Sequence, residues 1–269
     1  MRTKIRFWRL GLSLLFLLAM VIQPQQITQA QPMKNNTAHS LAGGAFTQDW
    51  SNTGLITTND DWSGVDGIEG YLGDYTTSTP TAVDPQTLLS DYSVAIDVIA
   101  NQTSTAITAG GVAEFEITNP VVALQGSGSA DAPFVKIYLN SLTCGNINVA
   151  YKVRDIDGTT DNAIQPVALH YRAGGIGDYT NVPAAFIADA TTGPSLATLE
   201  TNVNVTLPAD ANNQAVLELR IMTTNAVGSD EWVGIDDINI SATCGDFVTD
   251  PKINEFSAST IGTDYEYVE

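Results

Sequence analysis

Residues 147–153 read Ile-Asn-Val-Ala-Tyr-Lys-Val, with an apolar side chain at every second position. Because successive side chains of a β-strand point to opposite faces, this spacing predicts a strand with one buried and one solvated face. From residue 45 onward the sequence contains no convincing amphipathic helix. The same alternation recurs at 92–98, 167–171, 203–207 and 217–221. We therefore predict an all-β protein, an antiparallel β-sandwich or jelly roll.

Turn-forming residues separate these runs, among them Asp157-Gly158 and Gly174-Gly175. Stretches 112–118 and 134–140 are further β-rich runs. Segment 57–90 differs, because it is long, acidic and rich in Gly, Thr and Asp. We expect it to form an irregular excursion over one end of the sandwich, where binding sites tend to lie.

The first thirty residues have the pattern of a secretory signal peptide. Four basic residues precede the apolar run 10–22, and a small-x-small site ends at Ala30. That run is short for a membrane-spanning helix, which needs about 20 apolar residues. We predict a signal peptide at residues 1–30, a flexible leader at 31–44, and a secreted chain that is not held in a membrane after cleavage.

The charge balance of the chain excludes one class of function. The 269 residues contain 11 Lys+Arg and 30 Asp+Glu, a formal net charge of -19. Without residues 1–30, which hold four basic residues and no acidic ones, the balance is 7 - 30 = -23. A chain with so few basic residues lacks the phosphate-binding surface of nucleic-acid proteins. We therefore expect no direct nucleic-acid binding.

The two cysteines, Cys144 and Cys244, each lie in a Thr-Cys-Gly triplet at a strand edge. In an oxidising compartment a single pair is expected to form a disulfide, although two free thiols remain an alternative. Two cysteines and two histidines without ligand spacing do not predict a zinc site.

The end of the sequence carries a resemblance to a known family. Residues 253–269, INEFSASTIGTDYEYVE, resemble the opening strands of a lamin-tail domain, an Ig-like β-sandwich. The strand-like pieces begin a domain that 17 residues cannot complete, since an isolated hairpin is not independently stable. We therefore predict a linker at 246–252 and an incomplete, truncated second β domain at 253–269.

A longer resemblance covers residues 45–245, which we predict to be the β-sandwich domain. The motifs that carry it are FTQDW (46–50), NDDWSG (59–64), DIDGTTDNA (155–163), DATTGPSLATL (189–199) and GSDEWVGIDDI (228–238). With these motifs the chain is similar to the N-terminal β-sandwich module of large secreted bacterial proteins, many of which also carry lamin-tail and endonuclease/exonuclease/phosphatase domains. The resemblance implies an accessory module whose partners are downstream domains of the same protein. It carries no catalytic residue into this chain.

Catalytic constellations are poorly supported. No G-x-S-x-G motif occurs, and His170 lies on the strand phase opposite to Leu169 and Tyr171, so we expect it to face solvent. Glu114 and Glu116 alternate with apolar residues and are expected on a solvated face, which makes a glycosidase pair improbable. We therefore predict that this chain is not an enzyme.

Calcium is the cofactor that so many carboxylates favour. Asp236-Asp237 interrupts an alternating strand, which predicts a β-bulge. The resemblance to jelly-roll modules ending in an IDDI strand implies a structural Ca²⁺ held by Asp49 with Asp236 or Asp237. A weaker candidate is the D-x-D-G-x-x-D loop, whose ligands would be Asp155, Asp157 and Asp161. The alternatives are two solvated strand carboxylates and an ordinary acidic turn.

Trp62 is the candidate ligand-binding residue, because it lies in the acidic loop NDDWSG and an exposed indole stacks on sugar rings. Trp50 and Trp232 border strands and are expected in the core. The favoured function is a non-catalytic extracellular accessory module with a structural or targeting role. The alternative is a lectin-like module that binds extracellular polysaccharide, and a hydrolase fragment is the least favoured interpretation.

Overall fold

The computed structural model describes residues 35–74, 81–91, 95–157, 163–192 and 199–245. Over these ranges the chain is all-β, with only 3₁₀ turns as helical elements, at 41–43, 53–55, 85–87, 183–185 and 209–211. Thirteen strands are present among the described residues. They are β1 His39–Ser40, β2 Phe46–Gln48, β3 Ile68–Tyr71, β4 Ile99–Gln102, β5 Gly111–Phe115, β6 Val121–Gln125, β7 Phe134–Asn140, β8 Cys144–Asp155, β9 Ala168–Ala173, β10 Thr180–Asn181, β11 Glu200–Thr206, β12 Leu217–Met222 and β13 Val233–Cys244.

The strands form two sheets. The first has the order β1-β7-β12-β9-β10, with β3 also paired to β7. The second has the order β11-β8-β13-β6-β5-β4, with β2 also paired to β13. Most pairs are antiparallel, but β1–β7 and β4–β5 are parallel. The predicted sandwich is confirmed, and its sheets are mixed rather than purely antiparallel.

The core lies between the two sheets and is filled by the alternating apolar residues. Ile147, Val149, Tyr151 and Val153 of β8 are all buried, as the opening pattern predicts. Trp50 and Trp232 are also in the core, with Trp232 edge-on to Phe115 at a centroid distance of 5.1 Å. Each fully buried large side chain contributes on the order of 2 kcal/mol through apolar area removed from water.

Two boundaries differ from the sequence-based expectation. Residues 39–44 belong to the sandwich rather than to a flexible leader, because β1 pairs with β7 and the Leu41 side chain is buried. Segment 57–90 contains β3, which pairs with β7 at Tyr71↔Phe134, so it is not wholly irregular. Strand β6 was not predicted, since both of its faces are buried and its sequence VVALQ does not alternate.

The predicted disulfide and bulge are both present. Cys144 and Cys244 face each other across the β8–β13 ladder and form a disulfide. The β8–β13 register shifts between Asp236 and Asn239, and Asp237 adopts a left-handed φ of 47°. The bulge therefore lies at the acidic pair.

Several predictions fall outside the described residues: the signal peptide at 1–30, the linker at 246–252, the lamin-tail resemblance at 253–269, and Asp161. No helix in the described ranges is long and apolar enough to cross a membrane.

Candidate functional site

The outer face of the first sheet, which points away from the core, carries charged and aromatic side chains instead of a solvated surface. These side chains alternate along β3, β7, β9 and β12 with the core residues. We call the following set the outer-face cluster: Glu69, Tyr71, Phe134, Lys136, Tyr138, His170, Arg172, Glu218 and Arg220. All of these residues are buried except Tyr138, which is half-buried.

Strand register brings these residues together from distant parts of the sequence. Lys136 lies directly opposite Glu69 on one side and Arg220 on the other. Arg220 in turn lies opposite His170. Directly opposed residues in a sheet have Cβ atoms about 5 Å apart, so the row forms one continuous patch.

A segment before β4 covers the patch. Residues 81–91, the covering segment, run across the outer face, and Arg220 donates hydrogen bonds to the carbonyls of Leu88 and Ser90. Arg220 is fully buried. The guanidinium therefore replaces water as the partner of those carbonyls and fixes the segment on the sheet.

Arg172 is the centre of the ionic contacts. Its Nε donates to Glu218 Oε2 at 2.6 Å, and its Nη1 lies 2.9 Å from Asp91 Oδ2. The ring of Tyr179 lies 4.3 Å from the Arg172 guanidinium carbon and 4.0 Å from that of Arg220. Both guanidinium groups therefore make cation–π contacts with one tyrosine.

Lys136 is held in an aromatic cage. Its Nζ lies 5.4, 5.7 and 5.9 Å from the ring centroids of Tyr71, Tyr138 and Tyr179. Burial lowers the pKa of Lys136 below its ordinary value. Asp91 Oδ1 lies 3.7 Å from the same Nζ. The carboxylate of Asp91 thus bridges Lys136 and Arg172, although 46% of its own side chain is exposed.

Glu69 accepts hydrogen bonds from two tyrosines. Its Oε2 receives the hydroxyls of Tyr71 at 2.5 Å and Tyr138 at 2.7 Å. Burial raises the pKa of both tyrosines, so the hydroxyls remain protonated donors. The other oxygen of Glu69 has no hydrogen-bond partner in the described part of the chain.

His170 occupies the predicted strand phase but not the predicted environment. It is fully buried beneath the covering segment rather than facing solvent, and its Nδ1 accepts a hydrogen bond from Arg220 Nε at 3.2 Å. Burial, with the nearby charge of Arg220, lowers the pKa of His170 to about 3. The imidazole is therefore neutral at pH 7.

The expected exposure of Trp62 is wrong. Its side chain is 0% exposed, its Nε1 donates to the Asp97 carbonyl at 3.2 Å, and its ring packs edge-on against Trp50. The ring lies over Gly70, where an added Cβ would come within 2.4 Å of Trp62 Cζ2. A buried indole has no face for a sugar, so Trp62 is a core residue of the sandwich.

Glu114 was also expected in solvent and is instead 3% exposed. Its Oε2 accepts a hydrogen bond from the backbone N–H of Asn101 at 2.7 Å. The carboxylate joins the short strand β4 to β5, at a point where their register is irregular.

The favoured calcium residues are divided between two environments. Asp49 and Asp237 line one polar cleft of about 330 Å³. Asp236 is instead buried and ion-paired to Arg154 at 2.7 Å, and Asp237 lies 3.0 Å from Lys152 Nζ. The three carboxylates do not converge on one point, and no group of three or more His, Cys, Asp or Glu in the described ranges has the arrangement of a metal site.

Of the second group of predicted calcium ligands, Asp155 and Asp157 lie within the described residues. Asp155 and Asp157 are both buried, and Asp155 Oδ1 accepts the N–H of Asp157 at 3.1 Å. Burial, reinforced by the charge of Asp157, raises the pKa of Asp155 to about 6. Asp157 also lines a cleft of about 520 Å³ together with Gln125 and Asp230. Calcium binding at either place stays a prediction.

Comparisons with known proteins give only distant likenesses. No protein-family model matches the sequence, and no curated protein matches it. The fold is similar to that of a xylan-binding module, CBM15, with a TM-score of 0.37 and 9% identity over 74% of this chain and 97% of that one. It is similar to the K3 cleaved adhesin domain of Lys-gingipain from Porphyromonas gingivalis W83, with a TM-score of 0.37 and 14% identity over 73% and 98%. A CBM28 module specific for non-crystalline cellulose has a TM-score of 0.36 and 12% identity over 48% and 79%. At these scores the likenesses support no conclusion about a ligand.

The outer-face cluster was not predicted from the sequence, although a signal for it is present there. Three of the seven basic residues beyond residue 30 occupy outward positions of the predicted strands: Lys136, Arg172 and Arg220. In a chain this acidic, such a concentration of positive charge on one face points to a built site rather than to a solvated surface.

Proposed function

We propose that this chain is an exported, non-catalytic β-sandwich module that binds polysaccharide through the outer-face cluster. The observation that carries the proposal is the edge of the cluster beside Lys136, where the half-buried ring of Tyr138 and the exposed carboxylate of Asp91 reach the surface together. Sugar-binding sites combine aromatic rings, which pack on the apolar face of a pyranose, with a few fixed polar groups that pair with its hydroxyls.

Accessible groups mark the side from which a sugar would approach. Tyr138 is half-buried and Asp91 is exposed, so both reach the surface beside the buried Lys136. Tyr138 is held by its hydrogen bond to Glu69, which fixes the ring before a ligand arrives. Ordering of a binding site in advance lowers the entropy cost of association.

The cluster's chemistry supports binding rather than catalysis. Its histidine is neutral and buried, and its tyrosine hydroxyls have raised pKa values and donate to Glu69. No member of the cluster is a nucleophile activated by an adjacent base, which covalent catalysis would need.

Other parts of the proposed setting rest on sequence alone. The disulfide is compatible with an oxidising, extracellular compartment. Export by residues 1–30, a lamin-tail domain beginning at 253, and a downstream nuclease or phosphatase domain stay predictions.

Affinity electrophoresis of the protein through gels containing soluble polysaccharides tests the proposal. We expect at least one polysaccharide to retard the protein, and Tyr138→Ala to weaken that interaction about tenfold through loss of aromatic packing. Tyr138→Phe, which keeps the ring, should retain most of the affinity. Asn204→Ala, on the exposed face of β11, is the control and should bind as the wild type does. Absence of retardation by every polysaccharide, or equal binding by Tyr138→Ala, contradicts the proposal.

A further inference from the structure

We infer that the outer-face cluster selects an acidic polysaccharide, and that Asp91 occupies the position of the sugar carboxylate when no ligand is bound. This inference rests on the proposed function, because it names the class of polysaccharide that the same site takes.

The positive charges of the protein are concentrated at this site. Beyond residue 30 the chain has 30 acidic and seven basic residues, and three of the seven belong to the outer-face cluster. Two carboxylates of the cluster, Glu69 and Glu218, offset two of the three cations, so one formal positive charge is left for Asp91 to balance. A neutral sugar that took the place of Asp91 would leave that charge unbalanced. A ligand with carboxylate groups needs such a charge, because a protein with this net charge would otherwise repel it.

Asp91 differs from the carboxylates of the outer-face cluster. Glu218 is buried on β12 and receives hydrogen bonds from Arg172 and Tyr179, and Glu69 is buried on β3 beneath two tyrosine hydroxyls. Both belong to the sheet itself. Asp91 comes from the covering segment, and nearly half of its side chain is exposed.

The two oxygens of Asp91 contact different cations. Oδ1 lies 3.7 Å from Lys136 Nζ, and Oδ2 lies 2.9 Å from Arg172 Nη1. The side chains of these two cations are only 9% and 5% exposed. Arg172 also pairs with Glu218, but Lys136 has no other ion pair in the described part of the chain. A buried cation without a counter-charge is strongly unfavourable, so Lys136 requires a carboxylate at the place of Asp91. The carboxylate of a uronic acid has the same shape and charge as that of Asp91.

Exchange of one carboxylate for another needs only a local change. Because Asp91 is exposed, rotation of its side chain into water uncovers both cations without separating Arg220 from the carbonyls of Leu88 and Ser90. A sugar whose carboxylate takes this position has the half-buried ring of Tyr138 beside it, 5.7 Å from Lys136 Nζ. Asp91 is therefore a competitor that any acidic ligand must displace.

Isothermal titration of the protein with four polymers tests the inference: polygalacturonate, its fully methyl-esterified form, uncharged galactan and dextran sulfate. We expect polygalacturonate to bind best, with an affinity that falls as salt is added. Methyl esterification should reduce the affinity at least tenfold. Dextran sulfate, whose tetrahedral groups do not reproduce the planar carboxylate, should bind more weakly than polygalacturonate.

Three variants separate the roles of the charges. Asp91→Ala removes the competitor and should raise the affinity for polygalacturonate several-fold. Lys136→Met, which keeps the length of the side chain, should lower it at least tenfold. Lys152→Met removes a lysine from the outer face of the other sheet and should leave it unchanged. Near-UV circular dichroism verifies that each variant is folded. If Lys136→Met does not fold, the methyl-esterified polymer still tests the selection of a carboxylate, and Asp91→Ala still tests the competition.

The outcomes distinguish this inference from the proposed function. Binding of galactan as strong as that of polygalacturonate overturns the acidic selectivity and leaves polysaccharide binding intact. Weaker binding of polygalacturonate by Asp91→Ala than by the wild type overturns the role of Asp91 as a competitor. Binding of dextran sulfate as strong as that of polygalacturonate overturns the selection of a planar carboxylate. Failure of all the polymers to bind contradicts the inference together with the proposed function.

Discussion

Lys136 and Lys152 lie on outward positions of strands in opposite sheets, yet their surroundings differ completely. Lys136 on β7 is 7% exposed, lies among three tyrosines, and has a pKa lowered by burial. Lys152 on β8 has a side chain that is 35% exposed and pairs with Asp237 at 3.0 Å and Glu200 at 3.2 Å. Its hydrogen bond to Asp237 raises its pKa.

The covering segment accounts for the difference. Residues 81–91 and Tyr179 lie over the first sheet and exclude water from its outer face. In the second sheet, the exposed residues of β11 and the middle of β8 leave the β11–β8 end of the outer face in contact with solvent. Alternation of apolar and charged residues therefore indicates which side chains face outward, but not whether the outward face is wet.

Arg220→Ala should cause the largest loss of stability, because it removes the contacts between the first sheet and the covering segment. The substitution leaves the Leu88 and Ser90 carbonyls and His170 Nδ1 without their buried donor. Each buried acceptor that loses its donor costs about 1–3 kcal/mol, so we expect a total loss of about 3–5 kcal/mol. Urea denaturation measures the free energy of unfolding. Lys152→Ala on the open face is the control and should differ little from the wild type. Equal effects of the two substitutions would show that the two faces do not differ energetically.

The pH dependence of unfolding tests a buried carboxylate just before β4, which bonds to the backbone of β5. Asp97 accepts the backbone N–H of Val112 at 2.6 Å, and burial raises its pKa to about 6. Since that value lies above the ordinary one, the folded state takes up a proton before the unfolded state does. The contribution of Asp97 to the free energy of unfolding should therefore rise as the pH falls from about 7 to about 4.5. Asp97→Asn should lack about 1–2 kcal/mol of that rise. Chemical denaturation at both pH values measures the free energy of unfolding. An identical change with pH in the wild type and in Asp97→Asn would refute the raised pKa of Asp97.

The smallest expected effect is that of Ca²⁺ on stability, at the cleft beside Lys152. Asp237 lines the cleft with Asp49 but already pairs with Lys152, so Ca²⁺ and the ammonium group compete for one carboxylate. With a Kd near 1 mM, as in many extracellular modules, 5 mM Ca²⁺ should stabilise the fold by about 1 kcal/mol. Calorimetry should show a Tm higher by about 2–4 °C, and Asp49→Ala should abolish the increase. A wild-type Tm unchanged by Ca²⁺ or EDTA would exclude this site.

Much of the fold could be predicted from the sequence, because period-two alternation reports directly on half-buried strands. Strands β8, β9, β11 and β12, the Cys144–Cys244 disulfide and the bulge at Asp236 all follow from local patterns. Strand β6 could not, because a segment buried on both faces has no alternation to detect.

The candidate site was harder to predict, because it depends on contacts between distant residues. Burial of His170 and Trp62 comes from the packing of segments far away in sequence, the covering segment in one case and Gly70 in the other. Propensity and charge patterns describe one strand at a time and contain no information about what lies over it.

The disulfide between β8 and β13 has a mechanical consequence. Cys244 is the last residue of β13, and its bond partner Cys144 is the first residue of β8. A pulling force applied to the chain beyond Cys244 enters β8 through a covalent bond before it reaches any hydrogen bond of the ladder. Strand β13 therefore cannot be peeled away from its C-terminal end, and the module resists tension from that side until the disulfide is reduced.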